Sequence, residues 1–156
     1  MQLIIQRVDS AAVREGGRVA GEIDRGILIL LGVFDGDTKE DADILAKKAA
    51  ALRIFCDDDD KMNLSVLDLG LSALVISNFT LCADTRKGNR PSFANAMEPC
   101  SAEKLYEYFI EQLRKNGVAR VEQGVFGGEM FIDAKLNGPI TITLDSLTYK
   151  KPRKAK

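Results

Sequence analysis

Residues 26–33 read Gly26-Ile27-Leu28-Ile29-Leu30-Leu31-Gly32-Val33, an apolar run bounded by turn residues. Such a run suits a strand buried on both faces. Toward the N-terminus, Ala11–Glu15 and Arg18–Ile23 flank Gly16-Gly17, a two-residue glycine turn typical of a hairpin, and residues 2–7 read as a further strand. The chain starts as β.

Toward the C-terminus the period changes. Thr38-Lys39-Glu40-Asp41 has the form of a helix N-cap with an acid at the third helical position. Ala42, Leu45, Ala46, Ala49, Ala50 and Leu52 follow at helical spacing, which predicts a helix over about 38–52. Asp57–Asp60 is a run of like charges that reads as a solvated loop. A calcium loop would need alternating ligands, a central glycine and a terminal glutamate. Ser72–Phe79 is β-rich again, and the polar, proline-containing stretch Ala83–Pro99 is the longest irregular segment, a candidate functional loop. Ser101 can cap a second helix with Leu105, Tyr108, Phe109 and Leu113 on one face, ended by Asn116-Gly117. Closing strands are expected near Ala119–Val125, Met130–Leu136 and Ile140–Leu144, with Asn137-Gly138-Pro139 between the last two. The expected fold class is α/β: a single compact domain over 1–149 with mixed, largely antiparallel, barrel-like β-sheets and two main helices packed on the sheet. Residues 150–156 read as a basic, flexible tail.

Composition narrows the chemistry. At 156 residues the chain is about one domain, long enough to bury roughly 70% of its unfolded surface. With 46% apolar and 29% charged residues it is neither disordered nor membrane-spanning in character. The N-terminus shows no secretory leader, so a cytoplasmic location is expected. Cys56, Cys82 and Cys100 are scattered and odd in number, which fits reduced thiols and no zinc spacing. Histidine is absent, which removes Ser-His-Asp and Cys-His catalysis, His-ligated metals and an imidazole base. The chemistry falls to hydroxyls, carboxylates, backbone groups or the substrate, with no metal and no cofactor expected. A net charge of -1 argues against coating nucleic acid by charge alone but leaves local grip on an RNA end open.

Two segments could carry function. In Ser77-Asn78-Phe79-Thr80-Leu81 a strand ends in three hydrogen-bonding side chains around one aromatic ring, where rigid sheets tend to place ligands. Polar residues there also serve simply as turn formers. In Asn137-Gly138-Pro139-Ile140-Thr141 the Asn-Gly pair signals a hairpin turn, but Pro139 cannot donate to a ladder. An X-Pro bond is also where a cis peptide lies only about 0.5–1 kcal/mol above trans. A cis Gly138-Pro139 would turn neighbouring carbonyls to one side, and the sequence leaves the isomer open.

From end to end the chain resembles the D-aminoacyl-tRNA deacylase family. The resemblance is carried by Ile5-Gln6-Arg7-Val8, Gly21-Glu22-Ile23, Leu30-Leu31-Gly32-Val33, Arg53-Ile54-Phe55, Lys61-Met62-Asn63-Leu64, Ser77–Leu81, Ala83-Asp84-Thr85, Gly88-Asn89-Arg90-Pro91-Ser92-Phe93, Gly124-Val125-Phe126-Gly127 and Gly138-Pro139. It implies a homodimer that hydrolyses the ester between a D-amino acid, or glycine, and the terminal adenosine of tRNA, with active sites at the subunit interface. It also implies that Ser77, Asn78, Phe79, Thr80 and Leu81 line a pocket entered by a cis Gly138-Pro139 of the partner; Arg7 and Met130 are read beside these as supporting residues. Two positions depart from the family: Asn78 stands where Gln is usual, and Leu136 replaces the usual Asn two residues before Gly138-Pro139, with Asn137 beside it.

An aminoacyl ester is already activated, so a positioned water, an oxyanion partner and orientation suffice. The resemblance suggests that the ribose 2′-hydroxyl assists the water while N–H groups near Phe79 and Thr80 hold the oxyanion. A competing route makes Thr80 a covalent nucleophile, for which no base is evident. Arg7 reads as a brace for the Gly-Pro carbonyls, or as a strand-end arginine paired with an acid. Two rival classes stay open: a nucleic-acid module using Arg86, Lys87, Arg90 and the tail, and a broader esterase acting on free amino-acid esters.

Overall fold

In the computed structural model, which describes residues 1–150, Gln2–Glu15 form one 14-residue strand, β1, rather than the two strands expected from the pattern. The polar pair Asp9-Ser10 breaks the local alternation, but neighbours on both edges carry the strand through it. One edge of β1 meets β3 (Gly26–Gly32) along Gln2–Val8 and β2 (Arg18–Ile23) along Ala11–Glu15, all antiparallel. The other edge carries β8 (Met130–Asp145), antiparallel from Glu15–Met130 to Gln2–Asp145.

β8 is also a single strand, so Asn137-Gly138 does not make the hairpin turn that its sequence signals. The chain continues past Pro139 because β1 supplies partners on both sides of the interruption. The Gly138–Pro139 peptide is cis.

From β3 the sheet continues through parallel pairings to β6 (Ser72–Ser77) and then β7 (Arg120–Gln123), giving the order β2-β1-β3-β6-β7. The path curls until its ends nearly meet: a Cβ on Gly21 of β2 would lie 2.6 Å from the Gln123 carbonyl oxygen of β7. The sheet is thus nearly closed and barrel-like, and helices α1 (Lys39–Ala50) and α3 (Pro99–Lys115) cover it.

Two apolar clusters explain the run that reads as doubly buried. Ile27, Ile29 and Leu31 join Leu3 and Ile5 beneath Leu45, Ala46 and Ala49 of α1 and Tyr106, Phe109, Ile110 and Leu113 of α3. Leu28 faces the opposite side with Val8, Val13, Ile23, Leu74 and Ile76. Burying each large aliphatic side chain stabilises the fold by about 1.5–3 kcal/mol, so β3 is anchored from both sides. The Tyr106 hydroxyl, fully buried, donates to the Val75 carbonyl at 2.8 Å and ties α3 to β6.

The helix ends differ in detail from expectation. Asp41 Oδ2 accepts from the Thr38 N–H at 2.8 Å and the Thr38 hydroxyl at 3.1 Å, the cap that the sequence signals, and the helix stops at Ala50. α3 begins two residues before Ser101. Glu98 caps it, accepting from the Cys100 and Ser101 N–H groups at 2.8 and 3.0 Å, and Pro99 takes the first helical position, where its missing N–H is not needed. Between α1 and β6 lie the small pair β4 (Phe55–Cys56) and β5 (Met62–Leu64) and the one-turn helix α2 (Val66–Leu69). The Asp57–Asp60 run is the turn between β4 and β5, held by Asp57 Oδ1, which accepts from the Asp59 and Lys61 N–H groups at 3.0 Å each.

The expected tail boundary moves. Lys150 closes helix α4 (Ser146–Lys150), and its ammonium pairs with Asp41 at 2.8 Å; residues 151–156 lie outside the described residues. Among the described residues no helix is long and apolar enough to cross a membrane.

Asp41 is 1% exposed, yet its carboxyl is held well below the usual carboxylate range. Burial works to raise it, and hydrogen bonds from Lys150, Ser146 and Thr38 outweigh that effect. A carboxylate with a depressed folded pKa contributes stability that is present above its unfolded value of about 3.9 and lost as pH falls below it. Asp41→Asn is expected to cost about 1–3 kcal/mol at neutral pH by breaking a buried charge-assisted contact. Denaturant midpoints at pH 7 and pH 3 check this: the gap between wild type and variant narrows at pH 3, and an equal gap at both values counts against the assignment.

Candidate active site

The carboxyl ends of β3 and β6 frame the site. The Asn78 N–H donates to the Leu31 carbonyl at 2.8 Å, which continues the pairing one residue beyond Ser77. The chain then enters a short 3-10 turn, Phe79–Cys82, in place of the last residues expected in the strand. The first N–H groups of a helical turn have no carbonyl one turn back, so those of Phe79 and Thr80 find no acceptor within it. Within the turn the Leu81 N–H donates to the Asn78 carbonyl and the Ala83 N–H to the Thr80 carbonyl, both at 3.2 Å.

Asn78 and Thr80 engage each other. The Thr80 hydroxyl donates to Asn78 Oδ1 at 2.5 Å, so its proton is committed to the amide. An amide oxygen cannot take that proton away as a base would. The Asn78 side chain thus both lines the cavity and holds the Thr80 hydroxyl.

Glycine permits the close approach that seats the turn. A Cβ on Gly32 would lie 2.8 Å from Leu81 Cβ and 3.3 Å from the Asn78 carbonyl oxygen, neither of which is a flexible side-chain end. Beneath the turn the Cys82 thiol is buried and donates to the Val33 carbonyl at 3.3 Å. Burial, reinforced by the Asp37 charge, pushes it up to about 11, so it stays protonated and is no nucleophile near neutral pH.

These residues open onto a cavity of about 730 Å³ lined mainly by apolar side chains. Ser77, Asn78 and Phe79 form one wall, and Met130, at the start of β8, forms another beside Phe126 and Gly127. Phe79 is 59% exposed and meets Phe93 edge to face with ring centres 5.0 Å apart. Met130 sits where Gly124 leaves room: a Cβ there would lie 2.6 Å from its Sδ. Among the described residues Glu98 is the one charged side chain in the lining, and its bonds to the α3 N-terminus hold it below the usual glutamate range.

Of the residues singled out from sequence, the structure thus brings Ser77, Asn78, Phe79 and Met130 to one cavity, with Thr80 on the adjoining turn. Gly138, Pro139 and Arg7 lie elsewhere on the same chain, where β8 departs from β1. There Arg7 contacts Asn137 and the Ile54 carbonyl. Phe93 and Glu98 lie within Ala83–Pro99, the segment that reads as a candidate functional loop, though no signal singles either out there, and Phe126 does not read as a site residue, since it sits on a loop with no periodic signal. Among the described residues no group of three or more His, Cys, Asp or Glu side chains is arranged to hold a metal ion. In the loop above, Asp84 is pulled to about 2 by Arg86, whose guanidinium lies 2.6 Å from it, so part of that basic cluster is internally paired.

A nearly closed α/β sheet with an apolar cleft at its parallel strand ends, bounded by a hydroxyl- and amide-bearing turn, has the form of a fold with a pocket suited to a small or terminal group. Comparison with known proteins makes this specific. The chain belongs to the D-Tyr-tRNA(Tyr) deacylase family, whose model matches residues 4–145. It is 51% identical over 153 residues to a D-aminoacyl-tRNA deacylase of Roseiflexus castenholzii, covering 98% of this chain and 97% of that one. A D-aminoacyl-tRNA deacylase of Akkermansia muciniphila is 53% identical over 146 residues, covering 94% and 97%. Among solved structures, the c-Myc DNA unwinding element binding protein superposes with a TM-score of 0.88 at 38% identity, covering 93% of this chain and 98% of that one. A probable eukaryotic D-amino acid tRNA deacylase shares the fold, with a TM-score of 0.78 at 17% identity over 92% and 97% of the two chains.

The Gly32 approach yields a direct prediction. Gly32→Ala must separate β3 from the turn, and it is expected to cost about 1–3 kcal/mol of stability. Because the displaced element carries Asn78 and Thr80, ester hydrolysis falls further than the folded fraction does. Activity per folded molecule, from assays paired with thermal melts, checks this; parallel losses would show that the approach serves packing alone.

Proposed function

We propose that this chain hydrolyses the ester between a D-amino acid, or glycine, and the terminal adenosine of tRNA, acting in the cytoplasm as a homodimer. The observation that carries the reading is the cavity ending in Ser77–Thr80, apolar enough for a nucleoside and bounded by a turn with unspent N–H groups. The family and its named relatives point to the same substrate class.

The mechanism follows from what the site lacks as well as from what it holds. There is no histidine to activate a nucleophile, and Asn78 holds the Thr80 proton without being able to remove it. Water is therefore the nucleophile in this reading, assisted by the ribose 2′-hydroxyl next to the ester. Its oxygen adds to the ester carbonyl, and the Phe79 and Thr80 N–H groups hold the oxyanion. Collapse breaks the bond to the ribose oxygen, which takes up the proton that the attacking water gave up, relayed through the neighbouring 2′-hydroxyl, and free amino acid and tRNA leave.

Chirality is read by exclusion from backbone atoms. The Gly138–Pro139 carbonyls would hold the α-amino group and sit against Cα, so that an L side chain overlaps the wall while a D side chain points away. A second copy must bring that wall to the cavity, since the two lie apart on one chain. The free edge of β8 suits such a copy: Phe131 is 66%, Ile132 41% and Leu136 45% exposed along a 16-residue strand paired on one side only.

Matched assays on D- and L-tyrosyl-tRNA test the activity: the D ester is cleaved and the L ester is spared, and no cleavage of the D ester above the spontaneous rate ends the proposal. Thr80→Ala separates the two routes. A positioning role leaves turnover within about tenfold of wild type, whereas loss of a covalent nucleophile lowers kcat by about 10⁴-fold or more. A tRNA ending in 2′-deoxyadenosine is expected to be a poor substrate.

A further inference from the structure

The ladder between β1 and β8 breaks where the two strands carry different numbers of residues. Pairing runs Gln6–Thr141, then Val8–Leu136, then Ser10–Lys135. Arg7 alone thus stands opposite Asn137, Gly138, Pro139 and Ile140, which leave the ladder as a bulge, and Asp9 stands opposite no residue. Both irregular positions of β1 carry charges, and both charges turn to one side chain. Arg7 Nη2 donates to Asn137 Oδ1 at 2.8 Å, and Asn137 Nδ2 donates to Asp9 Oδ1 at 2.7 Å. Arg7 also donates through Nε to the Asn137 carbonyl at 3.4 Å and through Nη1 to the Ile54 carbonyl at 2.8 Å, which roots the cluster behind α1.

We propose that Asn137 is a positioning residue for chiral discrimination, fixing the bulge that presents Gly138 and Pro139; this rests on the backbone-wall reading above. An amide is the side chain this location calls for. It sits between a guanidinium that only donates and a carboxylate that only accepts, and it answers each with its opposite end, so its orientation is fixed by charge. Aspartate would face Asp9 with like charge, and alanine would remove both side-chain bonds, leaving Arg7 only backbone carbonyls and Asp9 only Lys135. Charge-assisted bonds in a half-buried setting are stronger and more directional than neutral ones, and here they grip the residue immediately before Gly138. Asp9 is held below the usual carboxylate range by the Asn137 amide first and by Lys135 beside it, so the acceptor stays ionised. Asn137 acts on the substrate only through the position of the carbonyls that follow it.

The test is the ratio of kcat/KM for L- over D-tyrosyl-tRNA. Asn137→Ala is expected to raise it about tenfold, as expected for losing two charge-assisted bonds that hold a rigid wall. A merely structural role lowers both substrates in step and leaves the ratio where it was, which would overturn the proposal. The Asp9 variants carry the test even if Asn137→Ala folds poorly: Asp9→Ala raises the ratio, while Asp9→Asn, which keeps an acceptor oxygen, restores it. Equal ratios in these two variants also overturn the proposal. Gly138→Ala separates this inference from the reading beneath it, because its Cβ would lie 2.7 Å from Ile140 Cγ1 and 2.8 Å from the Ile140 N–H, at a φ of 121°, and so moves the wall itself. An unchanged ratio there removes the wall and the role of Asn137 together. A raised ratio there with none in Asn137→Ala or Asp9→Ala removes Asn137 alone.

Discussion

Strand β1 is paired on both edges over most of its length, and the positions of the cavity and the bulge follow from that. Its first half holds β3, which in turn holds β6 in parallel and so sets where Ser77 ends and the turn begins. Its opposite edge holds β8, whose start places Met130 in the cavity and whose middle departs from the ladder at Arg7. A strand that organises both edges cannot slip by one residue without moving Leu3 and Ile5 out of the helix-covered cluster and Val8 and Val13 out of the opposite one. The register is therefore pinned by burial on both faces.

Much of this was legible because local pattern and tertiary burial agree. The run 26–33 reads as doubly buried and is, since alternate residues enter different clusters. The Gly16-Gly17 turn and the Thr38/Asp41 cap lie within a few residues of what they control. Where the sequence misleads, a distant partner overrides a local preference. Asn137-Gly138 signals a reversal, but β1 offers pairing on both sides and Arg7 captures Asn137, so the strand goes on. Ser101 is the better cap by type, yet Pro99 fits the first helical position and leaves Glu98 to reach the free N–H groups. The aromatic rim was hidden for another reason. Phe93 and Phe126 lie on separate loops that the sheet brings together, and no spacing in the chain announces their meeting.

The proposed mechanism divides two tasks between two kinds of atom. Hydrolysis of an activated ester needs a held water and a place for developing negative charge, which in the proposed mechanism the short turn would supply through main-chain N–H groups. Discrimination between mirror images needs a surface that does not yield, which main-chain carbonyls supply better than rotatable side chains. Neither task calls for a titrating side chain, and a chain without histidine is suited to both.

Main-chain atoms must themselves be held, and this accounts for where the polar side chains are used. Asn78 is engaged with the Thr80 hydroxyl and Asn137 with Arg7 and Asp9, so each amide is tied to side chains next to the backbone in question. Charged groups sit behind the bulge, where they meet each other through one amide, while the cavity lining keeps a single carboxylate tied to a helix end. An apolar cavity raises the strength of every remaining dipole, and a charge left loose in it would bind water and blur the position of the ester. Confining most charge to the supporting layer leaves the cavity lining largely apolar, the condition under which, in the proposed mechanism, fixed backbone groups would both polarise a carbonyl and exclude one enantiomer.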